Sequence, residues 1–145
     1  MIEIKVVNKS GNPLPEYAHP GDSGLDVRAN IENPIELKPL ERKLIPTGIY
    51  LGIPEGYEVQ VRPRSGMALK RGLTVLNTPG TVDSTYTGEI GVILINLSAE
   101  IQQILPGEKI AQLVVMQVEK ANLTEVFELN ETDRGADGYG STGRI

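Results

Sequence analysis

The sequence predicts an all-β domain with a single short helix, and three observations carry that prediction. Segments with strand character recur at short intervals, at residues 2–7, 43–53, 57–62, 90–97, 110–118 and 123–127. Each is bounded by Gly, Pro or Asn, which break strands and set turns. The 16 glycines and 10 prolines are spread along the chain instead of being gathered in a linker.

Taken in order, residues 2–7 and 43–53 are apolar-rich runs of strand length. In Tyr57-Glu58-Val59-Gln60-Val61-Arg62 apolar and polar residues alternate, so a period of two gives one buried and one wet face. The one helical piece is residues 65–71, with Ser65 as its N-cap and Gly72 as its stop. Residues 77–90 read as a hairpin with Asp83 at its rim. The run that follows, residues 90–95, is apolar on both faces, so a second sheet or another subunit must cover each. Residues 110–118 and 123–127 complete the strands. The organisation expected is one β-rich domain over residues 1–133 and a flexible glycine-rich lid over 134–145.

A chain of 145 residues has room for one domain, which at this size buries about 70% of its unfolded surface without disulfides or a structural metal. With no cysteine and one histidine, thiolate catalysis and Cys/His zinc sites are excluded by inventory. The lone His19 is assigned no role. A formal charge of −5 argues against nucleic-acid binding, which needs many cations to neutralise phosphates. No apolar run is long enough to span a bilayer and the N-terminus lacks a signal-peptide pattern, so no membrane association and a cytoplasmic location are expected.

Four blocks could carry chemistry. Arg62-Pro63-Arg64-Ser65-Gly66 puts arginines, a hydroxyl and a glycine at a strand-to-helix junction, where free N–H groups attract an anion; the alternative is a plain helix cap beside solvated charges. Asp83 is a carboxylate able to hold and polarise a water as a general base, or to cap a turn through its own backbone. Between Arg134 and Gly143, glycines permit close backbone approach while Arg134, Ser141 and Thr142 offer donors; Tyr139 in so polar a stretch points to a lid that stacks on a planar ligand. Asp22 and Asp26 are hard oxygen donors suited to magnesium or its waters, with turn and cap roles as the alternative.

In this order, GDSGLDVRA at 21–29, PRSGMALKRGL at 63–73, NTPGTVDSTYTGEIGVILIN at 77–96, PGEKIAQLV at 106–114 and RGADGYGSTG at 134–143 closely resemble the five motifs of the trimeric dUTPases. That resemblance implies a distorted jelly-roll-like β-barrel or sandwich, a homotrimer with sites at subunit interfaces, and Mg2+-dependent hydrolysis of dUTP to dUMP and pyrophosphate. Such an activity keeps uracil out of DNA and supplies dUMP for thymidylate synthesis.

The resemblance also implies roles. Asp83 would hold the water that attacks the α-phosphorus, and Tyr86 would pack under the deoxyribose, leaving no room for a 2′-hydroxyl. Asn77 and the backbone around Thr81, Val82 and Gly91 would read the uracil edge. Arg64, Ser65, Gly66 and Gln112 would contact phosphates, with Asp26 reaching magnesium through water. Arg134, Tyr139, Gly140, Ser141 and Thr142 would close from another subunit, the tyrosine over the uracil. One departure is Asp137-Gly138-Tyr139 where the family commonly has Gly-Gly-Phe; it adds a carboxylate near a polyanion and keeps the stacking ring. The related dCTP deaminases need a glutamate ten positions after the residue matching Asp83; here Ile93 stands there, and an aliphatic chain cannot shuttle protons.

Overall fold

The computed structural model describes residues 1–143. Eleven strands and one helix follow in the order β1 Lys5–Asn8, β2 Glu16–Tyr17, β3 Leu25–Arg28, β4 Ile35–Leu37, β5 Arg42–Gly52, β6 Tyr57–Arg62, α1 Ser65–Arg71, β7 Leu73–Val75, β8 Gly80–Asp83, β9 Glu89–Asn96, β10 Gln102–Ile104 and β11 Lys109–Gln117. They form a four-stranded sheet β1-β5-β9-β7, a five-stranded sheet β2-β3-β11-β6-β8 and a two-stranded β10-β4 ribbon, all antiparallel. The expected all-β architecture with one short helix is what the chain adopts.

The core lies between the two larger sheets. Ile45, Ile49, Ile90, Val92 and Leu94 come from one, and Val27, Val59, Val61 and Leu113 from the other. The alternation read in residues 57–62 holds, since Val59 and Val61 are buried between half-buried Glu58, Gln60 and Arg62. α1 occupies the expected residues and stops at Gly72, whose φ of 64° is the left-handed conformation that glycine adopts without a steric penalty.

Three expectations are corrected. Ser65 is the first helical residue, not the N-cap; Arg64 holds that position in extended conformation, with no side-chain cap bond. Residues 77–90 are not a hairpin. β8 pairs with β6 while β9 pairs with β5 and β7, so residues 84–88 cross from one sheet to the other. Within the chain β9 buries one face: Ile90, Val92 and Leu94 point into the core, whereas Gly91, Ile93 and Ile95 are half-buried on the far side. Residues 123–127 form no strand, and Leu123 and Phe127 stand fully in solvent. They lie past β11 with no strand beside them, and a strand without a ladder partner leaves its backbone groups unpaired. Among the described residues no helix is long and apolar enough to cross a membrane.

Candidate active site

The crossover from β8 to β9 opens one wall of a cleft of about 530 Å³. Val61, Gly80, Thr81, Val82 and Asp83 line it from the five-stranded sheet; Leu44, Pro46, Glu89, Ile90, Gly91 and Ile93 line it from the other, with Asn77 and Tyr86 on the connections. Three glycines shape its walls. A Cβ on Gly80 would press on Val61 and the Asn77 amide, at 3.3 and 3.4 Å. One on Gly91 would lie 2.5 Å from Leu44 Cδ1, and one on Gly88 2.5 Å from the Tyr86 hydroxyl oxygen. Larger residues there would fill the slot or displace the tyrosine.

Asp83 ends β8 with its side chain exposed, opposite Glu58 in the ladder. The Tyr86 amide donates to the Asp83 carbonyl at 3.0 Å, closing a tight turn that brings carboxylate and phenol to one rim. The Tyr86 hydroxyl donates to the Glu89 carbonyl at 2.8 Å. Among the described residues no lysine or arginine lines the cleft, and two carboxylates do. A cleft lined by carboxylates, an amide and backbone groups, with no described cation on its walls, suits a neutral ring and repels a polyanion.

The cations are elsewhere. Arg64 Nε donates to Asp26 Oδ1 at 2.9 Å, and Lys109 Nζ sits 2.8 Å from Asp26 Oδ2. Two positive groups thus share one carboxylate, leaving the cluster net positive beside the exposed Ser65 and Gly66. Gln112, paired with Asp26 across β3 and with Arg62 across β6, donates its amide to the Pro63 carbonyl at 2.9 Å. Gly24 makes room for that side chain, since a Cβ there would come within 2.1 Å of Gln112 Oε1.

The structure therefore gathers Asn77, Thr81, Val82, Asp83, Tyr86 and Gly91 into one cleft and Asp26, Arg64, Ser65, Gly66 and Gln112 into a second group outside it. Arg134, Tyr139, Gly140, Ser141 and Thr142 join neither group within the chain. They lie exposed in a string of turns, where Arg134 Nε donates to the Asp137 carbonyl at 2.8 Å. Arg144 and Ile145, the last two residues of the expected lid, fall outside the described residues. Sequence reasoning missed Lys109 and Glu89. Lys109 stood in a matched block, but only the β3–β11 register reveals that it reaches Asp26.

The dUTPase family model matches residues 11–143. The chain belongs to the dUTPase family. It is 54% identical over 143 residues to the deoxyuridine 5′-triphosphate nucleotidohydrolase of Fusobacterium nucleatum, covering 99% of this chain and 98% of that protein. The enzyme of the same name from Treponema denticola is 56% identical over 142 residues, with 98% and 99% covered. Among solved structures, a variant of the Staphylococcus bacteriophage 80alpha dUTPase with dUpNHpp superposes with a TM-score of 0.89 at 26% identity, over 99% of this chain and 100% of that one. The dUTPase of S. aureus phage phi11, described with a structural Mg(II) ion, gives 0.80 at 25% identity over 90% and 100%.

Magnesium suits the donor set only in one manner. Among the described residues no group of three acidic or histidine side chains converges on a metal site. Each Asp26 oxygen already accepts from one cation and keeps one lone pair, enough for a metal-bound water but not a protein cage.

Proposed function

We propose that this chain hydrolyses dUTP to dUMP and pyrophosphate in the cytoplasm, at sites that neighbouring copies complete in a homotrimer. The observation that carries the reading is a segregation: among the described residues the cleft with Asp83 on its rim is lined by no cation, while Arg64 and Lys109 cluster apart. In one chain the two halves do not meet. Packing copies around a threefold axis would bring the Arg64 group of one chain, and the tail of another, to the cleft of a third.

In this reading the uracil enters the slot beside Asn77, Thr81, Val82 and Gly91. A 5-methyl group is rejected by shape, which discriminates better than an added contact, because one methyl in an open pocket is worth only about 1–3 kcal/mol. Tyr86 packs under the deoxyribose. Arg64, Ser65, Gly66 and Gln112 hold the phosphates, and Asp26 would hold magnesium through a water. Magnesium, when bound with the substrate, would supply charge neutralisation.

Asp83 orients a water and accepts its proton as the oxygen attacks the α-phosphorus. The α-phosphorus–bridging-oxygen bond breaks and pyrophosphate departs with the electron pair. Residues 134–145 act as the lid, with Tyr139 stacking on the uracil and Arg134, Gly140, Ser141 and Thr142 over the outer phosphate, excluding bulk water and aligning in-line attack. Ile93 on the cleft wall offers no proton shuttle for a deaminase.

The test is a panel of dUTP, dTTP, dCTP and UTP with magnesium, following pyrophosphate and using Asp83→Ala as the control. Turnover of dUTP alone is expected. Equal rates on dTTP or UTP would overturn the account of the slot and of Tyr86.

A further inference from the structure

We propose that Glu89 is a positioning residue for Tyr86 and, through it, a determinant of sugar discrimination; this rests on the sugar-packing role given to Tyr86 above. The starting observation is a gap in the β5–β9 ladder. Pro46 pairs with Gly91 and the next pair is Tyr50 with Glu89, so Thr47, Gly48 and Ile49 oppose Ile90 alone. Such a bulge strips backbone groups of their ladder partners, and buried groups must find others.

Two side chains fill the gap. The buried Thr47 hydroxyl donates to the Ile90 carbonyl at 2.6 Å, and the Gly48 amide donates to Glu89 Oε1 at 2.8 Å. Gly48 is held from its other side, because its carbonyl accepts from the Lys9 amide at 2.7 Å. Residue 89 is therefore clamped to the bulge from its side chain while its carbonyl accepts from the Tyr86 hydroxyl at 2.8 Å.

That second bond matters because Tyr86 sits on the crossover, 46% exposed, with Gly88 behind its ring. Excluding one hydroxyl by contact works only if the wall does not yield, and a half-exposed ring on a connection yields unless its far end is fixed. The chain Gly48 amide, Glu89 and Tyr86 hydroxyl anchors that end to the four-stranded sheet. A role of Glu89 in fold stability alone would leave substrate preference untouched, which separates the two.

The experiment measures kcat/KM for dUTP and for UTP, together with Tm, in the wild type, Glu89→Ala, Glu89→Gln, Tyr86→Phe and the Ala/Phe double variant. The dUTP-over-UTP preference is expected to fall about fivefold or more in Glu89→Ala and in Tyr86→Phe, each losing one link of the chain. Glu89→Gln, whose amide oxygen still accepts from Gly48, is expected to restore it. The double variant is expected to be no worse than either single, as for residues acting in series. Preference retained in Glu89→Ala alongside a lowered Tm overturns the proposal, as does full preference in Tyr86→Phe, a variant that leaves the Glu89–Gly48 bond intact and decides the matter even if Glu89→Ala does not fold. A wild type that hydrolyses UTP as fast as dUTP, or neither, removes the underlying reading instead and is recognised before any variant is compared.

Discussion

The cleft beside the β8–β9 crossover and the Arg64–Asp26–Lys109 cluster are built by opposite means. The cleft is complete in one chain, walled by strands from both sheets and shaped by absent side chains at Gly80, Gly88 and Gly91. The cluster is a set of charges, two cations sharing one carboxylate, outside the lining of that cleft. A neutral ring is selected by shape, which a rigid fold provides. A triphosphate is bound by charge, and like charges crowded into a slot without ligand would repel one another. In the proposed trimer, recognition and charge would stay apart until substrate and neighbouring chains arrive, which avoids that cost.

The sharpest way to break this contrast is at the rim. Asp83→Ala removes the proposed base from the rim and leaves the glycine-shaped walls and the cations in place, so kcat for dUTP is expected to drop about a thousandfold with KM changed little. A comparable loss in binding instead, seen by titration with a non-hydrolysable analogue, would make Asp83 a recognition residue. Next in size is truncation after Asp133. The tail is exposed and adds nothing to the core, so Tm should hold while kcat/KM falls about a hundredfold through lost alignment. A falling Tm would show that the tail belongs to the fold.

A smaller effect probes the charge side alone. In Gly24→Ala the new methyl would lie 2.1 Å from Gln112 Oε1, forcing that side chain off the Pro63 carbonyl. Steady-state kinetics should show KM for dUTP raised about five- to tenfold, the worth of one displaced polar contact, with the dUTP-to-dTTP preference intact. A shifted base preference would mean that the two regions are mechanically one.

Legibility followed the range of the interactions. β6 and α1 were readable to the residue, because alternation at 57–62 and the Gly72 stop are local signals. The 77–90 segment was misread since strand-like runs beside a short turn look like a hairpin, whereas β8 takes its partner from β6, some twenty residues upstream. Residues 123–127 have strand composition without a neighbour, and composition cannot supply a ladder. In the site, the motif blocks led to the cleft residues. Lys109 and Glu89 escaped because each acquires its role from register: Lys109 from the β3–β11 pairing, Glu89 from a three-against-one bulge that no single segment encodes.

The smallest expected effect lies far from both regions and calibrates them. The Lys38 backbone amide donates to Glu41 Oε2 at 2.7 Å, and this bond, helped by the nearby Lys43 ammonium, holds the Glu41 carboxyl below its ordinary value of 4.5. A group with a depressed folded pKa binds its proton more readily when unfolded. Its stabilisation is therefore fully present above that ordinary value and is lost as pH falls through the lowered one. Thermal melts of the wild type and Glu41→Gln should differ most at neutral pH and converge in acid, with activity unchanged at every pH where both are folded. Because Glu41 lines no part of the cleft and touches neither Asp26 nor its cations, a change in dUTP turnover from this substitution would show that surface charge at the β4–β5 turn reaches the site through the sheet.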